Sequence, residues 1–577
     1  MHLPKRFTKV VALVATATLF AAACAPGEEA PDDADPAEET TDTDTDTDDA
    51  DAAPDTDRDQ IIIDIFFDGQ ESAIDPHRAA APSDRTVFRP VYDTLVTFPT
   101  PDISEPQPWL ATDWEANEDA TEWTFNLREG VNFASGNPLT ADDVVWSLNR
   151  LKFIGDRASF VMEGLTPRAE DDLTVVIESE TTNTAVPFIL TSSNAAIMDS
   201  QLMEENGGVG DESAATDDDA GSFLSANSAG SGPYQLERFD PAAEVVLSVN
   251  PEWWGSAPAY EQIVLRDAAP SVQRLNIQSG EADVVTDLGT EEIAGLDEAA
   301  FQIQPGAGTN VWVLVFNLDP DVSEATANED FREAMKYAID FDFLAEVGGE
   351  NASQSCGFIL PSITGAIDPD DPACLSQDLD RAREALERSG LGDDIEVTFI
   401  LQDFDRDGVS AVDLGSRISQ MWGEVGVSAT IQEQPDAVVA DARNSGQIEV
   451  FVVPNSIRFP HPAGYVGSMN PSGGTSQAGE DYRGGWMASD DPNLAHPPID
   501  GQDEVAAIGR DAISAPSIEE AVPLFQEWER AMIETSPFIP LVVGSATLVA
   551  QTDLPNIDEF HPLWAIDIPT FAGATAN

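Results

Sequence analysis

Histidine, cysteine and lysine are the side chains best placed to act as base, nucleophile or metal ligand near neutral pH, and this sequence is nearly without them. Its 577 residues include 5 His and 3 Cys, and lysine stands only at Lys5, Lys9, Lys152 and Lys336. His77, His461, His496 and His561 are scattered, and Cys356 and Cys374 lack Cys-x-x-Cys spacing, so no metal site is expected. No Gly-rich loop ends in Lys-Ser or Lys-Thr, no His-Glu-x-x-His occurs, and neither Lys152 nor Lys336 follows a Ser by three residues. With 106 Asp and Glu present, any carboxylate pair is uninformative. An enzyme is disfavoured, and no cofactor is implied.

The positions that must be organised instead belong to a large acidic body. A net charge of −79 over a chain that is 42% hydrophobic, with 11 Trp and 27 Phe, describes a globular core under a carboxylate surface. Such a surface repels phosphate backbones and anionic headgroups, which excludes nucleic acid and direct lipid binding as functions. The body after residue 59 retains −67 of that charge, and nearly all its cations are Arg. Carboxylate-rich and Lys-poor surfaces suit solubility in strong salt, where screening removes the self-repulsion. The length predicts several lobes.

The amino terminus reads as an address and an anchor. Lys5, Arg6 and Lys9 precede the apolar run Val10–Ala23, the layout of a signal peptide too short to span a bilayer. The run ends Phe20-Ala21-Ala22-Ala23-Cys24, which resembles a bacterial lipobox, with Ala where Leu is usual, and marks Cys24 for lipidation; an ordinary cleaved signal is the alternative. Residues 24–59 then form an acidic tether, rich in Pro, Thr and Asp, that cannot bury enough surface to offset its ordering entropy. That leaves Cys356 and Cys374 for a disulfide in an oxidising compartment, two separate buried thiols being the alternative. Closing this loop is worth roughly 3 kcal/mol if unstrained.

Along the body, Gln60–Phe67, Leu173–Ile177, Val311–Phe316 and Ile395–Leu401 have strand character. Thr140 with Asp143 caps a helix bearing Val144, Val145, Leu148 and Leu151. Asp330 is expected to cap another, and Asp380–Ser389 a third that stops at Gly390. Glu205–Ser231, with Asp217-Asp218-Asp219, reads as a long surface loop. Strands and helices alternate, which argues an α/β fold.

Within this pattern stand Asp75-Pro76-His77, Tyr92-Asp93-Thr94-Leu95-Val96, Trp109-Leu110-Ala111-Thr112-Asp113-Trp114-Glu115 and the block from Trp123 to Val144. They are followed by Gly232-Pro233-Tyr234, Asn250-Pro251-Glu252-Trp253-Trp254-Gly255, Ser279-Gly280-Glu281-Ala282-Asp283 and Phe331-Arg332-Glu333-Ala334-Met335. In this order the chain resembles the oligopeptide/dipeptide/nickel-type (family 5) substrate-binding proteins of ABC importers from about residue 60 to about 565. Physically these residues read as caps, turns and core, with Tyr234 and Trp253 packing rather than touching ligand.

The resemblance implies a bilobate clamshell: lobe one at 60–105, 230–310 and 541–577, an extra domain at 106–229, lobe two at 311–540, and hinge crossings near Val313–Asn317 and Pro540–Val543. It implies an extracytoplasmic lipoprotein, monomeric, that captures a small organic solute and delivers it to permease subunits. Family members that take peptides present an Asp to the α-ammonium within Trp-x-x-Asp-x-x-x-Pro. Aligned on Pro462, this chain has Asn455 in place of the Trp and Arg458 in place of the Asp, which reverses the sign of the anchor and favours an anionic or sugar-like group. Phe459 follows as an apolar wall, with Ile74, Phe316 and Val543 as further candidates for lining the cleft. A sensor accessory on the same fold, a structural lipoprotein and an extracytoplasmic hydrolase are the other readings. The charge itself is testable: the melting temperature should rise toward molar NaCl, where the Debye length shrinks to ~3 Å, and a salt-independent melt would contradict a salt-adapted surface.

Overall fold

The computed structural model describes residues 59–67, 74–79, 86–98, 103–156, 158–240, 242–349, 351–456, 458–471 and 500–554; the signal, Cys24, the tether, His496 and His561 lie outside these. Lobe one opens with β1 (Gln60–Ile65), an apolar strand with Ile61 and Ile63 fully buried. The chain then builds an antiparallel sheet of its own from β2 (Ala111–Ala116), β3 (Glu122–Leu127), β4 (Leu165–Asp171) and β5 (Thr174–Ser179), in the order β2-β3-β5-β4. Helix α1 (Ala141–Phe153) covers it, opened by the box in which the Thr140 amide donates to Asp143 Oδ2 at 2.9 Å.

β6 (Tyr234–Asp240), β7 (Glu244–Val249), β8 (Gln262–Asp267), helix α2 (Pro270–Ser279), β9 (Val284–Val285) and the single turn α3 (Thr290–Ile293) complete lobe one. Strand β10 (Phe301–Phe316) carries the chain into lobe two. There follow α4 (Glu329–Ala338), β11 (Ser353–Gln354), α5 (Leu379–Ser389), β12 (Ile395–Leu401), the hairpin β13 (Asp405–Arg406) and β14 (Val409–Ser410), and α6 (Ala411–Gly423). The remainder includes β15 (Val427–Glu433), α7 (Asp436–Asn444), β16 (Val450–Asn455), α8 (Pro462–Met469), a helix over Gln502–Ile513, α9 (Ile518–Thr535) and the returning strand β17 (Phe538–Gln551).

One sheet runs through both lobes in the order β15-β12-β16-β10-β17-β9-β1-β8-β7-β6, with β11 added on β17. The fold is therefore α/β and bilobate. Among the described residues four apolar clusters fill it: one in lobe two around Trp312, Trp422 and Trp528, one in lobe one around Ile61 and Tyr234, one in the extra domain around Phe125 and Leu148, and a small one around Ile277, Val285 and Val549.

Several local expectations shift. The cap of α4 is Asn328, whose side chain accepts the Phe331 amide at 3.1 Å while its own amide donates to Ser389 O; Asp330 lies inside the first turn and Ile339 beyond the helix. The segment 205–231 is not a surface loop. It makes short helical turns whose Ala220 and Leu224 pack into lobe one, and it places Asp218 in the interior.

There Arg150, fully buried on α1, forks onto Asp75 with two bonds of 2.7 and 2.8 Å and onto Asp218 with bonds of 2.8 and 3.0 Å. Its Nη1 lies 3.1 Å from His77 Nδ1, while His77 Nε2 lies 3.0 Å from Ala196 O. This pattern requires the neutral Nε2–H tautomer, and burial accordingly pushes His77 down to about 4. The Arg150 guanidinium holds Asp75 below its ordinary range against the opposing effect of burial. One cation thus ties the extra domain's helix α1 to Asp75 of lobe one and to the segment around Asp218.

In lobe two, Cys356 and Cys374 are bonded, with Cα atoms 4.5 Å apart, and close a loop held by Glu529 of α9. The Glu529 oxygens accept the Ile359 and Ile367 amides at 2.8 and 2.7 Å, and a side chain on Gly357 would collide with this carboxylate.

Two outcomes follow. Arg150→Met, which leaves Asp75 and Asp218 buried and uncompensated, should cost about 3–5 kcal/mol in chemical denaturation; a loss below ~1 kcal/mol would show the network to be dispensable. Burial raises Glu529 to about 7, so between its unfolded value near 4.5 and about 7 the folded chain holds a proton that the unfolded chain has released. The corresponding stability is complete below pH ~4.5 and is lost as pH rises through ~7, on the order of 3 kcal/mol. Subtracting the stability-versus-pH curve of Glu529→Gln from that of the parent should reveal this slope.

Candidate functional site

In an open α/β sheet, ligands sit outside the carboxyl ends of parallel strands, where the loops diverge and backbone groups are free. β9, β1 and β8 are parallel, so their carboxyl ends, Val285, Ile65 and Asp267, share one edge of lobe one. β12 runs parallel to both β15 and β16, so Leu401, Glu433 and Asn455 share an edge of lobe two. Loops leaving the two edges meet. Thr290, just past β9, and Gly408, just past β12, line the same cavity of about 660 Å3.

That cavity has walls from three sources. Lobe one gives Leu288, Thr290, Ile293, Leu296 and Glu298; the paired strands β10 and β17 give Phe301, Ile303, Pro305, Ser545 and Thr547; lobe two gives Gly349 and Gly408. The lining is polar and apolar in near-equal measure, with hydroxyls at Thr290, Ser545 and Thr547, and among the described residues Glu298 is its only ionisable side chain. Gly349 has φ 106°, and a Cβ there would lie 3.0 Å from that of Ser545, so lobe two touches the connecting strand where a side chain would hold it off. Such a site can enclose a small organic molecule and orient it by hydroxyl and backbone hydrogen bonds.

The six residues singled out in the sequence do not line this cavity. Ile74 is fully buried in lobe one, its amide bonded to Leu224 O and its carbonyl accepting the Tyr92 hydroxyl at 3.1 Å. Phe316 is equally buried, stacked on Trp422 at 5.9 Å between centroids, so it is a core aromatic rather than a cleft wall. Val543 sits in lobe two's cluster, paired with Val311 and Ser353. Asn455, buried at the end of β16, lies with its amide nitrogen 3.2 Å from Met469 Sδ. Phe459 is sunk in the extra domain's cluster. Arg458, half-buried, follows the carboxyl end of β16 on the loop it shares with Phe459.

The next residues join the two halves. His461 caps α8, its Nδ1 accepting the Ala463 amide at 3.2 Å, and its ring lies 4.9 Å from Phe188 of the extra domain and 6.0 Å from Phe525 of α9. Burial pushes it down to about 3, so it is neutral at physiological pH. With Phe459, it shows the lobes apposed. The residues by which the chain resembles its family converge elsewhere. Asp93, raised by burial, accepts the Trp109 indole at 2.7 Å, the Trp254 indole at 3.1 Å and the Ser231 hydroxyl at 2.7 Å. Trp253 packs beside Trp254, and the Arg128 guanidinium covers the latter at 4.6 Å.

The cavity residues carried little signal in the sequence. What could have found them is positional: the loop after a short buried strand, Leu288-Gly289-Thr290, and the paired turn signals Gly348-Gly349 and Asp407-Gly408. Among the described residues no group of His, Cys, Asp and Glu could hold a metal ion, and no helix is long and apolar enough to cross a membrane.

The family of bacterial extracellular solute-binding proteins, family 5, matches residues 105–477 through its middle region. A probable D,D-dipeptide-binding periplasmic protein of Escherichia coli is 29% identical over 293 residues, which cover 49% of this chain and 54% of that protein. The dipeptide-binding protein of the same organism is 26% identical over 359 residues, covering 59% of this chain and 66% of the other. The chain thus spans about half to two thirds of the length of these curated relatives.

Among solved structures, the periplasmic binding protein MoaA of A. tumefaciens R10 in complex with mannopinic acid superposes with a TM-score of 0.72 at 20% identity, covering 90% of this chain and 98% of that one. The murein tripeptide binding protein of Escherichia coli gives 0.71 at 17% identity, with 90% and 98% covered. Likeness at these identities speaks for the fold.

Proposed function

The chain belongs to the bacterial extracellular solute-binding proteins of family 5, and from that premise we propose that it is the extracytoplasmic capture component of an ABC importer. It takes a small organic solute between its lobes and presents the closed form to permease subunits. The observation that carries this reading is the cavity of about 660 Å3, walled by both lobes and by the two strands that join them. A ligand held there contacts both lobes only when they are apposed, so its binding energy becomes a shift toward the closed population. The protein acts as a binder rather than a catalyst: the perturbed groups His77, His461 and Glu529 are buried in hydrogen-bonded structural roles, and none lines the cavity. Cys24 carries the lipid, the acidic tether extends the body from the outer face of the membrane, and the protein works there as a monomer.

The solute is peptide-like or another small organic acid or sugar derivative. For a carboxylate, phosphate or sugar hydroxyl the candidate anchor is Arg458, which follows β16 and lies outside the lining of the cavity of about 660 Å3, while the cavity itself supplies apolar wall and hydroxyls. Native mass spectrometry of the purified protein should find a co-purifying solute that Ala294→Trp, placed in the cavity wall, displaces. A thermal-shift panel of peptides, amino acids and sugar acids then names its class. Arg458→Ala should weaken an anionic ligand by ~2 kcal/mol or more. Tight binding of free-amino-terminal di- to pentapeptides that is indifferent to Arg458→Ala would reject the anionic anchor, and a chain that no solute of any class stabilises would reject the capture role.

A further inference from the structure

The two joining strands change partners at one place. β10 pairs with β17 in steady register from Phe301↔Gln551 to Ala307↔Ser545, breaks, meets it again at Val311↔Val543, and shifts once more before Val313↔Pro540. On the lobe-one side of the break β17 also holds β9; on the lobe-two side β10 also holds β16 from Val311 to Phe316. The irregular stretch therefore runs over 307–313 on β10 and 540–545 on β17; its larger break lies at 307–311 and 543–545, and its far end reaches the crossings expected near Val313–Asn317 and Pro540–Val543.

Extra residues in β10 leave backbone donors without a ladder partner at the break. A side chain from another part of lobe two takes them. Asp407, at the tip of the β13–β14 hairpin, accepts on Oδ2 from the Thr309 amide at 2.7 Å, the Asn310 amide at 3.0 Å and the Asn310 side chain at 2.9 Å. Its own carbonyl accepts the Ser545 amide of β17 at 2.8 Å. One residue thus holds both strands at the point where their pairing is interrupted.

The surroundings are shaped for it. Asp407 has φ 52°, left-handed backbone that Asp tolerates better than most residues, followed by Gly408 at φ 70°. A Cβ on Gly544 would stand 2.1 Å from the Asp407 carbonyl oxygen, and one on Gly308 would stand 2.6 Å from the Gly544 oxygen and 3.0 Å from Asp407 Oδ2. Both strands lack side chains where the hairpin presses on them. Gly408 and Ser545, on either side of this contact, are also walls of the cavity.

We propose that Asp407 is the hinge clamp: its carboxylate, caught by the amides of Thr309 and Asn310 at the break between β10 and β17, fixes the angle at which the lobes close and seats the cavity's hinge wall. It is a positioning residue and touches no ligand. The clamp concerns lobe movement alone, so its test needs no solute and leaves the capture reading to stand or fall separately.

The experiment is single-molecule energy transfer on the full chain, with dyes at Leu275 of α2 and Val438 of α7, positions 63% and 47% exposed on lobe one and lobe two. Asp407→Gly keeps the left-handed turn but removes the acceptor, and should shift the population to longer, broader separations with little change in melting temperature. Asp407→Asn retains an acceptor oxygen and should restore most of the parent distribution. Gly544→Ala, which pushes the hairpin off while leaving Asp407 in place, should reproduce the Asp407→Gly shift. Parent-like separations in Asp407→Gly or in Gly544→Ala, or an Asn variant no better than Gly, would overturn the clamp.

Discussion

The pairing of β10 with β17 is the constraint on which everything else in this molecule hangs. They are the long strands of the fold, and each belongs to both lobes. Lobe two adds β16, β12 and β15 on the β10 side, and lobe one adds β9, β1 and β8 on the β17 side, so a single ladder fixes the position of the other strands of this sheet. A continuous ladder would make one rigid sheet. A ladder interrupted between Ala307 and Val311, and shifted again before Val313, permits rotation along that short stretch and resists it elsewhere, because bending elsewhere would strip several backbone hydrogen bonds at once. The cavity lies beside the interruption, where a small change in angle opens or closes it.

Charge is divided just as sharply between surface and interior. An acidic, Lys-poor body offers few cations, and some of those few are buried struts. Arg150 forks between Asp75 and Asp218. Lys336, pushed down to about 7 by burial, donates to Ile533 O at 2.7 Å and closes the carboxyl end of α9. Arg332, lowered to about 10, bonds the Thr326 and Ala327 carbonyls. Such buried cations cost desolvation that only good acceptors offset, so Arg150 and Lys336 tie together segments distant in sequence while Arg332 fixes the turn just before its own helix. The surface is left to carboxylates, whose mutual repulsion salt screens.

The same economy of chemistry governs the two buried histidines. Each uses its Nδ1 as an acceptor, His77 from Arg150 and His461 from the Ala463 amide, and each is lowered by burial, to about 4 and about 3. Neutral imidazoles in these places serve as polar aromatic spacers: His77 within the ion network, His461 between Phe188 and Phe525 where the lobes meet.

What the sequence determined by itself was local and periodic. The Thr140–Asp143 box, the stop at Gly390 and the strand Ile395–Leu401 were legible because each depends on residues within a turn or a strand of one another. The motif order led to the family for the same reason. Asn328 was missed as a cap because a competing Asp stood two residues on, and only the bond from Asn328 to Ser389 O, made by packing α5 against α4, decided between them. The loop at 205–231 read as polar surface because nothing in its composition says that Asp218 will meet Arg150, 68 residues away. The site was decided last. Phe316 and Phe459 are equally apolar in sequence, yet one fills lobe two's core and the other the extra domain's, and the cavity's walls come from positions 288 to 547. Such a site exists only where two sheet edges and a broken ladder meet, which is a property of long-range pairing register and not of any stretch of chain.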